Sequence, residues 1–214
     1  MRRLSSRSSA RTAPRRVAAG LAAACALALA AAPAVAGKYN DVLDVGEKAP
    51  AFENLPTADG KTVSLADLKD AKAVVVLFTC NHCPVAKAYE ERFNALVKDY
   101  ADRQVAVVAI SVSNQPDDTL EATKAYAKKQ GLKFTYAHDA SQKTGKAFGA
   151  NVTPHAFVLG PDRAVRYMGA FDDSWDEPGE VKNTYVRDAV DAILAGKDVA
   201  VAESRQVGCG IEYE

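Results

Sequence analysis

Two cysteines, Cys80 and Cys83, enclose the pair Asn81 and His82 directly after an apolar run at residues 74–78. Cysteines at this spacing can form a disulfide and exchange it with another thiol. The run before them favours a buried strand, and the helical spacing of apolar residues after them favours an amphipathic helix. A helix N-terminus stabilises a thiolate through its unpaired N–H groups and its dipole. We therefore predict that Cys80 is the attacking thiolate and that Cys83 resolves the mixed disulfide.

Other roles for the cysteine pair have weaker support. A disulfide that closes so short a loop contributes only about 2 kcal/mol in the chain-entropy model, which is little for a structural crosslink. Structural zinc needs four ligands, and beyond the pair the chain offers only scattered His138, His155 and Cys209. The prediction is thus redox chemistry with no cofactor other than the Cys80–Cys83 disulfide itself.

The elements that must position this pair alternate between strands and helices, which predicts an α/β sheet with at least one parallel crossover. A turn-rich lead-in at residues 38–70 predicts a small hairpin. Asp118, followed by Glu121 three residues later, is typical of a helix N-cap. The predicted strands cover residues 74–78, 105–112, 134–138, 156–159 and 164–171. The predicted helices cover residues 81–100, 119–130, 142–148 and 181–194.

Four sequence blocks resemble the thioredoxin-like superfamily, in its TlpA/ResA and peroxiredoxin-like (AhpC/TSA, redoxin) branch. These blocks are residues 45–52, 59–65, 78–84 and 153–158. A subgroup of peroxiredoxin-like proteins is similar also at residues 169–173 and 208–211. The resemblance implies a thioredoxin-like fold with a central mixed sheet, flanking helices and an N-terminal hairpin extension.

The resemblance also implies which residues bind a substrate. Pro154 corresponds to a cis-proline that faces the cysteine pair, and Thr153 supplies backbone groups to a substrate strand. His155 either borders the same site or is an ordinary strand residue, and His82 either adds positive charge beside the thiols or is a solvent-facing helix residue. The predicted substrate-binding set is therefore Thr153, Pro154, His82 and His155.

The chain departs from its relatives at two places. Thr79 stands where thioredoxins usually carry Trp, and the strand at residues 74–78 lacks their acidic residue. Peroxiredoxins place a threonine three residues before the peroxide-reactive cysteine, whereas Thr79 lies one residue before Cys80 and four before Cys83. Disulfide exchange is thus favoured over peroxidase activity.

The first 36 residues predict a secretory signal peptide. They contain six arginines and no acidic residue, then an alanine-rich apolar run, then the small residues 34–36 that suit cleavage before Gly37. Of the 27 basic and 27 acidic residues, 21 and 27 remain in residues 37–214, a formal net charge of −6. Such a charge disfavours nucleic acid as a partner. We expect a secreted or periplasmic protein with no stable membrane span after cleavage.

The predicted domain covers residues 37–197, and a tail at residues 198–214 carries Cys209 between two glycines. Glycines permit unusual backbone angles, so the tail can fold back toward the active site. Cys209 is thus a candidate third thiol, as a second resolving cysteine or a metal ligand, or else a free thiol on a mobile terminus.

Three functions follow from these patterns. The first is an extracytoplasmic thiol-disulfide oxidoreductase whose partners are protein thiols or disulfides and an upstream thiol reductant or oxidant. The second is a peroxiredoxin-like thiol peroxidase. The third is a copper-binding assembly protein that resembles the Sco proteins, with Cys80 and Cys83 as soft ligands and His155, His138 or Cys209 completing the site.

Overall fold

An apolar strand rich in valine lies at the centre of the fold. The computed structural model describes residues 37–214, and in it this strand spans Ala73–Phe78 with every residue buried. A strand buried on both faces reads as a continuous apolar run, as predicted. The predicted signal peptide, residues 1–36, lies outside the described residues.

Five strands form the main sheet in the order β5-β4-β3-β7-β8. The three strands β3, β4 and β5 are parallel, and β7 and β8 run antiparallel beside β3. Two short pairs, β1 with β2 and β6 with β9, lie outside this sheet. The strands are β1 Leu55–Pro56, β2 Thr62–Val63, β3 Ala73–Phe78, β4 Val105–Ser111, β5 Thr135–His138, β6 Val152–Thr153, β7 His155–Leu159, β8 Val165–Gly169 and β9 Cys209–Gly210.

Helices cover both faces of the sheet, which confirms the predicted α/β class. The α-helices are α1 Pro84–Asp99, α2 Leu120–Gln130, α3 Lys143–Phe148 and α4 Tyr185–Leu194, with short 3-10 turns at Leu65–Leu68, Pro116–Asp118 and Pro178–Glu180. Helices α1 and α4 pack on one face, and α3 packs on the other with the N-terminal segment. The predicted hairpin is the β1–β2 pair.

The helix after the cysteines begins later than predicted. We predicted a start near Asn81, but α1 starts at Pro84, and Cys83 is its N-cap with extended backbone angles. The cause is Pro84, because proline disfavours helical geometry in the preceding residue yet is well suited to the first helical position. The helix amides therefore face Cys83 more directly than Cys80.

Asp118 is not the cap of the second helix. Thr119 is the N-cap of α2, and its side chain accepts the Ala122 N–H. Asp118 is fully buried and points instead toward the cysteine loop. The predicted capping role was wrong because a buried tertiary partner competes for the carboxylate.

His155 lies on the face of the sheet opposite the cysteines. Its ring packs against Phe157 at 4.5 Å between centroids, within the core that also contains Phe78, whereas Cys80 and Cys83 belong to the other core. The side chains of consecutive strand residues alternate between faces, so His155 cannot share a face with Ala156, which packs on the cysteine side. The suggestion that His155 borders the site was wrong.

The described residues, 37–214, contain no helix that is both long and apolar enough to cross a bilayer.

A buried ion pair fixes α1 to the loop after β8. Arg92 Nη1 lies 2.6 Å from Asp172 Oδ2, and the two side chains are only 17% and 4% exposed. We expect Arg92→Met to lower the free energy of unfolding by about 3–5 kcal/mol, because it leaves a buried carboxylate unpaired. The exposed pair Arg103–Asp191, at 47% and 53%, is the control, and Arg103→Met should cost about 0–1 kcal/mol. Urea unfolding curves measure both losses, and equal losses would contradict this account.

Burial lowers the pKa of His155 from 6.5 to about 3, and its Nδ1 is buried without a hydrogen-bond partner. Between pH 6.5 and pH 3 the unfolded chain therefore binds a proton at His155 that the folded chain does not bind. The free energy of unfolding falls as the pH is lowered through this range. Wild type should lose about 3 kcal/mol more than His155→Leu between pH 7 and pH 4. Unfolding curves at both pH values test this, and parallel losses in the two proteins would refute it.

Candidate active site

The cysteine loop lies at the carboxyl end of β3. Cys80 and Cys83 are thiols in this structure, 4% and 0% exposed. The Cys83 sulfur accepts the Ala86 N–H at 3.4 Å, as expected of a helix N-cap. Cys83 is thus buried at the N-cap of α1, whereas Cys80 lies three residues before this cap.

Cys80 faces a cleft of about 370 Å³. Its sulfur lies 3.3 Å from the Thr153 hydroxyl oxygen and 3.8 Å from His82 Nε2. The cleft is also lined by the loop after β4 and by the C-terminal residues 211–214, whereas Cys83 is absent from its lining. A substrate that enters this cleft therefore meets the Cys80 sulfur first.

A buried carboxylate holds the loop and its histidine. Asp118 accepts the Asn81 backbone N–H at 2.5 Å through Oδ1, and its Oδ2 makes a short contact with His82 Nδ1. The Asp118 side chain is fully buried, whereas that of His82 is 40% exposed. The three side chains form a chain from Asp118 through His82 to Cys80, which resembles the arrangement of base-activated cysteine nucleophiles.

Three hydrogen bonds keep the Asn81 side chain in place, one of them from its Nδ2 to the Thr123 hydroxyl at 3.2 Å. Tyr136 OH donates to Asn81 Oδ1 at 2.9 Å, and Asn81 Nδ2 donates to the Asp117 carbonyl at 2.7 Å. Burial raises the pKa of Tyr136 well above its ordinary value, so its hydroxyl remains a donor. The loop that carries the cysteines is therefore held by hydrogen bonds from β5 and from the segment after β4.

The two cysteines have opposite pKa shifts. The contact with Cys80 lowers the pKa of Cys83, and the helix amide of Ala86 adds to this effect. The same contact raises the pKa of Cys80, as do its burial and the nearby Asp118 carboxylate. We predicted that the helix would act on Cys80, but it acts on Cys83, since α1 begins at Pro84. Cys80 thus needs a base to become a thiolate.

Thr153, the last residue of β6, contacts both cysteines, and Pro154 follows it directly before β7. The Thr153–Pro154 peptide bond is cis, as predicted. The Cys83 sulfur lies 3.1 Å from the Thr153 carbonyl oxygen, to which it donates when protonated. The structure therefore places three of the four residues of the predicted substrate-binding set, Thr153, Pro154 and His82, next to the cysteine pair or to a residue that contacts it.

The C-terminal tail returns to the same place. Strand β9 pairs antiparallel with β6, with Cys209 directly opposite Thr153. Cys209 packs against the core that contains Cys80 and Cys83, and the Thr153 carbonyl opposite it contacts the Cys83 sulfur. Three cysteines thus surround one backbone segment.

Of the scattered histidines, His155 lies on the far face of the sheet and His138 hydrogen-bonds through Nε2 to the Ser113 carbonyl at 3.1 Å. In the described residues, the one group of three donor side chains within metal-binding reach is Cys80, His82 and Asp118, whose donor atoms lie within 4.8 Å of one another. The ligand set suggested for copper is therefore not assembled through His155.

Asp118 is the site residue that sequence reasoning missed. A usable signal was its position in the segment after β4, because the carboxyl ends of adjacent parallel strands share one sheet edge. Asp118 was missed because its position before a predicted helix was interpreted as that of an N-cap.

Comparisons with known proteins agree with this geometry. The chain is 26% identical over 155 residues to a Coxiella burnetii protein named as a peroxiredoxin, bcp, covering 72% of this chain and 95% of that protein. It is 28% identical over 123 residues to the thiol-disulfide oxidoreductase ResA of Bacillus thuringiensis subsp. konkukian, covering 58% and 68% of the two chains. The crystal structure of a hypothetical protein, SMc02350, from Sinorhizobium meliloti 1021 superposes with a TM-score of 0.74 at 38% identity, covering 82% and 97%.

The strand order and flanking helices are those of a thioredoxin-like fold. Residues 45–168 match the AhpC/TSA family, from the N-terminal hairpin through β8. Because this match spans more than half of the sequence, the chain belongs to the AhpC/TSA family.

Proposed function

We propose that this protein is an extracytoplasmic thiol-disulfide oxidoreductase in which Cys80 attacks and Cys83 resolves. The observation that carries the proposal is the position of Cys80, since its sulfur lines the cleft while Cys83 lies buried behind it. Membership of a thiol-dependent redox family and similarity to a protein named ResA support the same reaction. No cofactor beyond the Cys80–Cys83 disulfide is needed.

His82 acts as the base for Cys80. Its Nε2 lies 3.8 Å from the Cys80 sulfur, within reach of a thiol proton, and its Nδ1 faces the Asp118 carboxylate. Transfer of the proton yields an imidazolium between the Asp118 carboxylate and the Cys80 thiolate, and both anions attract it. The Cys80 thiolate then attacks a substrate sulfur, and a mixed disulfide forms as the substrate's second sulfur leaves.

Cys83 completes the reaction. Its sulfur accepts the Ala86 N–H at the start of α1, which stabilises a thiolate there, and the Cys83 sulfur then displaces the substrate from Cys80. The products are a Cys80–Cys83 disulfide and a reduced substrate, and an upstream thiol reductant restores the pair. Protein thiols or disulfides are the proposed substrates, and the leader at residues 1–36 is the basis for the proposed secreted or periplasmic location.

Single-cysteine variants test the assigned roles. Cys80→Ser should abolish reduction of a disulfide substrate such as insulin, because no mixed disulfide can form. Cys83→Ser should instead accumulate a mixed disulfide at Cys80, which mass spectrometry detects after acid quenching. The assignment is wrong if Cys83→Ser traps nothing and the trapped adduct appears on Cys83 in Cys80→Ser.

The Asp118 carboxylate can affect Cys80 in two opposite ways: it can orient His82 as a base, or it can raise the pKa of the Cys80 thiol. One substitution distinguishes the two effects. Asp118→Asn keeps an acceptor for the Asn81 N–H but removes the charge. If Asp118 orients His82 as the base, alkylation of Cys80 at pH 7 slows by about 10²-fold, at the low end of general-base effects. If Asp118 only raises the pKa of Cys80, alkylation becomes faster and its pH profile moves to lower pH.

We expect the slower reaction, measured by site-resolved mass spectrometry of iodoacetamide labelling from pH 5 to pH 10. The exposed neighbour Asp117 provides the control, since Asp117→Asn keeps its backbone contact to Asn81 and should leave the profile unchanged. His82→Gln should shift Cys80 labelling to higher pH, because the thiol has a raised pKa and no longer has a neighbouring base to take its proton.

A specific contact also favours thiol peroxidase activity. The Thr153 hydroxyl lies 3.3 Å from the Cys80 sulfur, so a threonine distant in sequence supplies the polar group that peroxiredoxins place before their reactive cysteine. Stopped-flow mixing of the reduced protein with hydrogen peroxide distinguishes the two reactions. Peroxide consumption faster than disulfide exchange would favour the peroxidase.

A further inference from the structure

The C-terminal strand occupies the edge at which a substrate strand would bind. Strand β9 pairs with Thr153, the residue before Pro154, and the Ile211 N–H donates to the Asn151 carbonyl at 2.9 Å to extend the pairing. An incoming extended polypeptide forms the same kind of antiparallel pairing with an exposed strand edge. The tail thus presents Cys209 to the site as an internal substrate strand.

The tail is anchored on both sides of Cys209. Before it, the Ser204 side chain accepts the Ala170 N–H at 3.0 Å and contacts Tyr167 OH at 2.6 Å. After it, the Gln142 side chain donates to the Glu212 carbonyl at 2.9 Å, and Tyr213 OH donates to the Ala150 carbonyl at 2.6 Å. These contacts hold the tail in one register and argue against a mobile terminus.

Cys209 lies beside Cys83. It is directly opposite Thr153, whose carbonyl oxygen is 3.1 Å from the Cys83 sulfur, and it packs against the core that contains Cys83. Burial raises the pKa of Cys209, and the neighbouring Cys83 raises it further. Cys209 is half-buried, whereas Cys83 is fully buried. Cys83 is therefore the thiol between the other two: Cys80 lines the cleft, whereas Cys209 is partly exposed and does not line it.

We propose that Cys209 is a third catalytic thiol, which exchanges with Cys83 and carries the disulfide from the cleft to a separate point of contact with the reductant. This inference rests on the proposed function, which supplies the Cys80–Cys83 disulfide. The Cys209 sulfur loses its proton to solvent and attacks Cys83; the Cys83–Cys209 bond forms and the Cys80–Cys83 bond breaks. Cys80 takes the electron pair and regains a proton from His82, so no further oxidant is required.

The relay separates two partners in space. After the exchange, Cys80 is a free thiol in the cleft and the disulfide joins Cys83 to Cys209. A second substrate can therefore enter the cleft before the reductant has reduced the Cys83–Cys209 disulfide. Burial and the neighbouring Cys83 raise the pKa of Cys209 to about 11. The exchange should therefore accelerate about tenfold per pH unit between pH 7 and pH 9, as the thiolate fraction grows.

The test uses the full chain, and every variant carries Cys25→Ser, which removes the fourth cysteine of the sequence, within the predicted signal peptide. Each variant is equilibrated in graded dithiothreitol buffers, quenched with acid and mapped by mass spectrometry. The expected result is two oxidised forms, one with a Cys80–Cys83 disulfide and one with a Cys83–Cys209 disulfide. Cys80→Ser should still form the second disulfide. The proposal is overturned if Cys209 is alkylated in every oxidised molecule.

Two glycines in the tail provide a matched pair for the docking geometry. A β-carbon added at Gly208 would lie 2.1 Å from the Thr153 carbonyl oxygen, whereas one added at Gly210 would meet nothing within 4 Å. Gly208→Ala should lower the Cys83–Cys209 fraction at least about tenfold, because a backbone clash forces the strand away. Gly210→Ala should leave the fraction unchanged, and equal behaviour of the two variants would refute the docked register.

Insulin reduction with a protein reductant separates failure of the relay from failure of the proposed function. Cys209→Ser should retain a single turnover of substrate reduction but slow steady-state turnover. Unchanged steady-state turnover in Cys209→Ser would remove Cys209 from the pathway and leave the Cys80–Cys83 function intact. Absence of any exchange in the wild-type chain would remove both.

Discussion

The pairing of β3 with its two neighbours is the constraint on which the site depends. The antiparallel register sets Phe78 opposite His155, so the residues after β3 and the residues before β7 must meet. The parallel register with β4 brings the segment after β4 to the same edge. Alternate side chains of β3 pack in the two cores, so a slip of one residue would exchange the side chains of the two cores and disrupt the packing of both. The cysteine loop, the cis-proline and Asp118 therefore converge through sheet register.

The chemistry at this edge depends on which groups can stabilise a thiolate at each of the two buried cysteines. The helix N-terminus serves Cys83, while Cys80 lies near a carboxylate and away from water. A thiol in that position is a poor anion unless a neighbouring base takes its proton, and His82 is placed for this between Asp118 and Cys80. In the function that we propose, Asp118, His82 and Cys80 act together, and the full burial of Asp118 strengthens its interaction with His82.

The tail completes the site and covers an otherwise unpaired strand edge. Strand β6 is only two residues long and lies outside the main sheet, so β9 supplies its backbone partner. An unpaired edge invites association with other chains, and a short internal strand removes this liability. In the relay that we propose, β9 therefore has two roles: it pairs with the edge of β6, and it places the Cys209 thiol near the cysteine pair.

The sequence by itself determined the class of fold and the order of the main strands and helices, and it singled out Cys80 and Cys83 as the candidate pair, because hydrophobic periodicity and cysteine spacing are local properties. The predicted start of α1 was three residues too early, although Pro84 already indicated the cause. The positions of Asp118, His155 and Cys209 were decided only by tertiary structure. Each depends on which face or edge receives a side chain from a distant segment, and local patterns do not contain that information.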